Sequence, residues 1–509
     1  MANTNRQNDA DARALAANQK KQAAAAARKK ERRNKILAIV ATVLVVAVLG
    51  SLIAYSKLTT AGFFLRRTVS ASSTTLKADN AVVSYFFHQN YQKFLSDYGY
   101  YLSYFGLDTS KSLKAQQSAF DQGTSWFDYF LSSTKTSLTQ MLVLAEEATS
   151  RGLALDDDDR ATVERSLANL KEAAKTNNVS ETYYIHSLFG KGVNRSDVRR
   201  AMELSLLADK GYRAVVGEYS FGEADYQNYI KENPKALLRA DYITMTLTTS
   251  DGMMEGDVSH QIINDYAGKL EATKTRAEFE AVAFDYLKNI AYKDDTDKTD
   301  DDIREEIEGF VVENATYSEG TELSEWLFDA SRKVGDTYRH TDETTYATDV
   351  ILVLSTAALD TGKTATVRHI LISENTAGSD EEAKAKADAL LAEWQSGAAT
   401  EDSFAALAKA NSEDSSAADG GLIENIAAGK TVEAFDAWIF DAARKAGDTA
   451  VVSSEYGYHV MYYVGEGLTA WEAEADAVLR SDKYSEDYAA LQEKYPVTFD
   501  DEKLYEIDA

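Results

Sequence analysis

"WIFDAARKAGDT", residues 438–449, occurs a second time in nearly the same form, as "WLFDASRKVGDT" at residues 326–337. Nine of the twelve positions are identical, and the other three are similar in character. Working outward, each copy is flanked by the same kinds of segment. A strand candidate opens it (242–247; 369–372), an amphipathic helix and a loop follow, then the shared helix with its Gly-Asp-Thr exit, then a closing strand candidate (350–354; 460–464). Self-similarity at this scale predicts two α+β modules, residues 240–356 and 365–467.

The chain has 509 residues, so at about 150 residues per domain roughly three domains are expected. Residues 36–55, ILAIVATVLVVAVLGSLIAY, hold no charge, and a helix of that length spans about 30 Å of hydrocarbon. A transmembrane helix is therefore predicted over 36–56. The basic stretch before it, KKQAAAAARKKERRNK at 20–35, places the tail of residues 1–35 in the cytoplasm and the remainder outside it. The apolar run is longer than a signal-peptide core and lacks a small-x-small cleavage site, which favours an uncleaved anchor. The absence of cysteine removes both a lipid-bearing cysteine anchor and a disulfide framework. Residues 1–35 carry 10 Lys+Arg against 3 Asp+Glu, leaving 44 against 79 for the rest, a net of −35. So acidic an exterior argues against nucleic acid as a partner, and membrane topology with anionic lipid headgroups accounts for the basic tail.

Residues 78–238 read as helical, with apolar stripes such as Leu138, Met141, Leu142 and Ala145. Asp156 to Asp159 are expected to start a helix rather than hold a metal. The aromatic stretch YFFHQNYQKFLSDYGYYLSYF, 85–105, is expected to fill a helical core, with His88 structural; an adhesive surface for unfolded clients is the alternative. The acidic run KDDTDKTDDDIREE, 293–306, lacks the glycine and final glutamate of a calcium loop and is expected to be a solvated insertion.

The second copy reads in order VRHILIS, EEAKAKADALLAEWQSG, DSFAALAKANSEDSSAADGGLI, AFDAWIFDAARKAGDT and EYGYHVMYYV. In that ordered set it resembles the parvulin family of peptidyl-prolyl isomerases. The resemblance implies that His369 and His459 are the two facing histidines and that Asp414 is the central acidic residue of the site, the three being the candidate catalytic residues. It implies that Leu422, Phe435 and Phe440 form an apolar proline pocket bordered by Ser454. Thr431 falls where the family usually has methionine, and Val432 beside it is the substitute. No cofactor or metal is implied. Rotating a peptide bond breaks no covalent bond but must overcome about 18–20 kcal/mol of lost amide resonance. An apolar cup that excludes water disfavours the planar, polarised amide. The histidines are then expected to form a hydrogen-bond network rather than to transfer protons. The acidic loop SENTAGSDEE after His369 favours ordinary X-Pro bonds over phosphorylated substrates.

Aligning the copies puts Asp349 opposite His459 and Tyr242 opposite His369, so the first copy is expected to be a degenerate, inactive parvulin-like domain. The arrangement as a whole resembles PrsA-type foldases and SurA-like chaperones. This implies an α+β chain whose C-terminal helical segment, 468–509, packs back on the helical chaperone region. The expected function is a membrane-anchored, extracytoplasmic prolyl isomerase and chaperone, whose partners are unfolded exported proteins with X-Pro bonds; a homodimer is left open. The alternatives are a non-catalytic holdase using both modules and a cell-envelope scaffold.

Overall fold

The computed structural model describes residues 48–49, 51–52, 56–120, 123–248 and 257–507. The basic tail and most of the expected membrane helix lie outside these residues. Among the described residues no helix is long and apolar enough to cross a membrane. The chain divides into two compact units, one formed by residues up to Tyr219 together with those from Tyr484 on, the other by Ser220–Lys483.

The first unit is mainly helical: α1 (Asn80–Tyr98), α2 (Trp126–Ser150), α3 (Asp157–Thr176), α4 (Glu181–Phe189) and α5 (Arg195–Val216). Helix starts follow capping chemistry. Ser125, Asp156 and Asn194 each accept from a backbone N–H of the first turn while an aspartate three residues on reaches back. Asp156 and Asp159 also both pair with Lys210, so the acidic run starts a helix as expected. Leu138, Leu142 and Ala145 are buried and Met141 packs against them.

Only part of the aromatic stretch fills the helical core. Tyr85, Phe86, Phe87 and Phe94 are buried with Trp126, Phe127 and Phe130, while Tyr98, Tyr100, Tyr101 and Tyr104 are exposed. His88 Nδ1 bonds the Ser84 carbonyl one turn back, at 2.8 Å, a structural role. The unit also contains a small antiparallel sheet. Strand β1 (Val69–Ser72) lies between β2 (Lys77–Asp79) and the late strand Thr498–Phe499. The end of the long helix Ala470–Lys494 brings Tyr484, Tyr488 and Leu491 onto Leu144 and Ala208. There Lys494 and Tyr495 reach the buried Glu147 carboxylate.

The second unit begins with α6 (Glu223–Glu232) and contains two four-stranded antiparallel sheets. The first has β3 (Leu238–Leu247), β4 (Val311–Thr316), β5 (Thr337–Thr341) and β6 (Thr348–Leu359), in the order β4-β3-β6-β5. The second has β7 (Lys363–Ile372), β8 (Leu422–Ile426), β9 (Thr449–Ser454) and β10 (Gly457–Thr469), in the order β8-β7-β10-β9. In each, therefore, the opening and closing strands are central neighbours and the other two are edges.

One face of the first sheet packs on α7 (Asp257–Glu271), α8 (Arg276–Tyr286) and α9 (Asp300–Glu308). The other carries α10 (Glu322–Leu327). Helix α9 arises inside the acidic run expected to be a solvated insertion. Thr299 and Asp302 form its capping box, and Ile303 and Ile307 anchor it in the core. The second sheet packs one face on α11 (Asp380–Ser396) and α12 (Glu401–Asn411), and α13 (Glu433–Ile439) covers the other.

Candidate active site

His369 lies on β7 and His459 on β10. Antiparallel pairing sets His369 opposite Met461 and His459 opposite Leu371. The two imidazoles are thus diagonal neighbours on one face, within reach of each other. Their Nδ1 atoms are 3.2 Å apart and the rings lie 16° from parallel. Both residues are buried. Val367, Met461 and Tyr463 share this face, while Ile370, Ile372 and Val460 occupy the opposite one, against α11 and α12. Strand alternation thus separates core from site.

Asp414 reaches the pair from the loop after α12. That loop is tied to β7 where the Leu371 N–H donates to Ser412 Oγ and the Glu413 N–H to the Leu371 carbonyl. Asp414 Oδ1 stands 3.2 Å from His369 Nε2, although the approach does not meet hydrogen-bond geometry. The same oxygen accepts from the Ser416 backbone N–H at 2.8 Å and from the Ser416 hydroxyl at 2.5 Å. His369, together with the Ser416 donors, holds the Asp414 carboxyl well below the usual carboxylate range, against the opposing effect of burial. At the other end Ser454 Oγ is 2.7 Å from His459 Nε2 and accepts from the Tyr456 N–H.

One tautomer set satisfies both hydrogen-bonded contacts of the pair. Ser454 donates to His459 Nε2, His459 Nδ1–H donates to His369 Nδ1, and His369 Nε2–H points toward Asp414. Each imidazole then holds a single N–H, an arrangement that can orient a neighbouring group without moving a proton.

Phe435, on α13, meets both histidines edge to face, its ring 5.5 Å from that of His369 and 5.3 Å from that of His459. Val432, Phe440, Val452 and Met461 pack around it. The Thr431 hydroxyl instead contacts Asp436 Oδ1, which also accepts from the Gly429 N–H. Leu422 is half-buried at the head of β8, and the next residue, Ile423, joins the Phe435 cluster. Sequence reasoning passed over Met461, Val452 and Ser416. Period-two alternation from His459 reaches Met461, and an Asp-x-Ser turn signals Ser416.

Burial pushes the His459 pKa down to about 4 from the usual 6.5, with the neighbouring His369 adding to the effect. Between those values the unfolded chain binds a proton that the folded one refuses, so stability falls as pH drops from 6.5 toward 4. The expected loss is roughly 2–3 kcal/mol. Urea titrations followed at pH 7 and pH 4.5, in the wild-type chain and in His459→Asn, check this; the variant's pH dependence is expected to be flatter.

Residues 352–464 match the family described as "PPIC-type PPIASE domain". The chain carries a PPIC-type (parvulin) peptidyl-prolyl isomerase domain. Its activity is peptidyl-prolyl cis-trans isomerisation, and both candidate histidines and Asp414 fall inside the matched isomerase segment, which is under a quarter of the chain. No curated protein matches the chain significantly. Solved structures similar to this chain include the peptidylprolyl isomerase PrsA of Bacillus anthracis, 20% identical over 45% of this chain and 88% of that one, with a TM-score of 0.17. PrsA of Bacillus subtilis is 20% identical over 60% and 84%, with a TM-score of 0.18. The foldase protein PrsA of Streptococcus pneumoniae is 14% identical over 44% and 68%, with a TM-score of 0.20.

The first sheet permits a position-by-position comparison with the isomerase domain. The Gly447 N–H donates to the Tyr463 carbonyl as the Gly335 N–H does to that of Val353, and Tyr462 faces Thr449 as Leu352 faces Thr337. Counting back from these pairs, Asp349 takes the position of His459. Across the ladder, Tyr463 faces Val367 and Val353 faces Tyr242. Tyr242 therefore matches Val367, and Thr244 matches His369. The Thr244 N–H bonds the Phe310 carbonyl as the His369 N–H bonds that of Gly421. The expected match of Tyr242 with His369 is thus corrected by two residues, and neither position carries an imidazole.

Proposed function

We propose that this chain is a membrane-anchored, extracytoplasmic foldase whose isomerase domain accelerates X-Pro rotation in exported proteins. The observation that carries this reading is the buried pair His369 and His459, flanked by half-buried Asp414 and Ser454 and standing over Phe435 within the matched segment. In this reading Phe435, Phe440 and Val432 seat the pyrrolidine ring beside Leu422 and Thr431, the cup excludes water, and the histidine pair fixes the floor of the site. Uncatalysed isomerisation takes tens to hundreds of seconds, long enough to leave an exported chain exposed to aggregation.

The module at 240–356 is proposed to be a degenerate second copy that binds without catalysing. The helical region at 78–238, with the returning segment 468–509, is proposed to hold clients. Its exposed tyrosines, Tyr100 at 99% and Tyr104 at 84%, favour that role. The uncharged run at 36–55 and its basic flank support the anchor and its orientation. Protease added to intact cells tests the placement. Cleavage of residues after 56 without lysis, with the basic tail protected, is expected; protection of the whole chain until lysis would contradict it.

A further inference from the structure

The first module of the second unit holds a cavity of about 180 Å³ lined by Glu322, Leu323, Tyr338, His340, Asp349 and Ile351. Its place in the fold is specific. Asp349 and Ile351 take the positions of His459 and Met461 on the closing strand, and Tyr338 and His340 those of Ala450 and Val452 beside it. Leu323 stands three residues before Trp326, as Phe435 stands three before Trp438. The cavity therefore lies over the face that carries the histidine pair in the isomerase domain.

Its chemistry is different. An imidazole and a phenyl ring are replaced by Asp349 and Leu323, Glu322 adds a second carboxylate, and none of the six lining residues is lysine or arginine. The Thr246 hydroxyl fixes Asp349 Oδ1 at 2.6 Å, and Glu322 Oε2 stands 4.0 Å from His340 Nδ1. Burial and then the negative field of Glu322 raise the Tyr338 phenol pKa, and Asp349 adds to it. A proline ring gains nothing from such a field. A long cationic side chain does, because its methylene stem can lie on Leu323, Ile351 and the Tyr338 ring while its charged head meets the carboxylates. Tyr338 and His340 also belong to β5, an edge strand, along which an extended chain can be received.

We propose that this cavity binds the side chain of a lysine or arginine in an extended polypeptide client, giving the first module a basic-residue specificity separate from the proline site. The kind of partner rests on the foldase reading above. The test is fluorescence anisotropy of the full chain with a labelled, proline-free Gly/Ser peptide bearing lysines, and with a twin bearing norleucine in their place. Physiological salt screens general attraction to this acidic protein.

The lysine peptide is expected to bind about tenfold more tightly than its twin, the scale of one charge-assisted contact. Glu322→Gln combined with Asp349→Asn should abolish the preference and leave prolyl isomerase kcat/KM unchanged. His340→Lys, which places a cation in the cavity without removing a carboxylate, should abolish it too. No lysine preference in the wild-type chain, or a preference that survives both variants, overturns the proposal. Failure of the foldase reading would show separately, as protection of the whole chain from added protease until cells are lysed.

Discussion

Replacing His369 with alanine is expected to lower kcat/KM of the full chain on a proline tetrapeptide by about ten- to hundredfold. The substitution leaves the buried His459 Nδ1 without its 3.2 Å partner and removes the imidazole in front of Asp414. It also deletes one of the two imidazoles that Phe435 meets edge to face. An unmet buried polar group costs about 1–3 kcal/mol, and each 1.36 kcal/mol placed on the barrier is tenfold in rate. A protease-coupled assay reads the rate, with a thermal melt in parallel to separate a damaged site from an unfolded domain. Unchanged kcat/KM in a folded variant would make the histidine pair structural only.

Gly421→Val is expected to abolish activity by unfolding the isomerase domain. Gly421 has φ +72°, and a Cβ there would stand 2.2 Å from the His369 carbonyl oxygen and 3.0 Å from its nitrogen. That approach forms the ladder bond from the His369 N–H to the Gly421 carbonyl, 2.9 Å long, which joins β8 to the site strand. Backbone strain and a main-chain collision together should cost about 3 kcal/mol or more. Gly429 is the internal control: its φ is +74°, but nothing lies within 4 Å of a Cβ there. Gly429→Ala should cost only about 1 kcal/mol. Limited proteolysis with an activity assay checks both variants. Equal resistance of the two would show that the close approach at Gly421 is not what joins the strands.

The site was legible where spacing and residue type carry it. His459 heads an alternating strand whose inward positions are Val460, Tyr458 and Tyr462 on one side and Met461 and Tyr463 on the other, so its membership of one face follows from period two. Asp414 was legible both as a cap and as a candidate site residue; it is N-cap of the short turn Ser415–Asp419 and lies beside His369.

Register in the first module was not legible, because a slip of two residues keeps every side chain on the same face; Tyr242 and Thr244 both satisfy the pattern, and only the ladder separates them. The full length of β7 was missed because Lys363, Thr364, Thr366 and Arg368 make its first half look polar. Thr364 is nevertheless buried, bonded to the Leu468 carbonyl, and Arg368 is bonded to Glu401 and to the Asp419 and Gly420 carbonyls. The small sheet of the first unit pairs residues 71 and 499, a contact no local pattern announces. Thr431 shows the same limit on a smaller scale, since its hydroxyl contact with Asp436 depends on the turn between them.

Prolyl isomerisation is expected at the His369–His459 site and nowhere else in the chain. Exchange NMR on an X-Pro peptide, with a catalytic amount of the full chain carrying His369→Ala and His459→Ala together, tests it most directly. The cis-trans exchange rate is expected to return to that of the peptide alone, while the wild-type chain accelerates it. Acceleration that persists in the folded double variant would place the activity at another site.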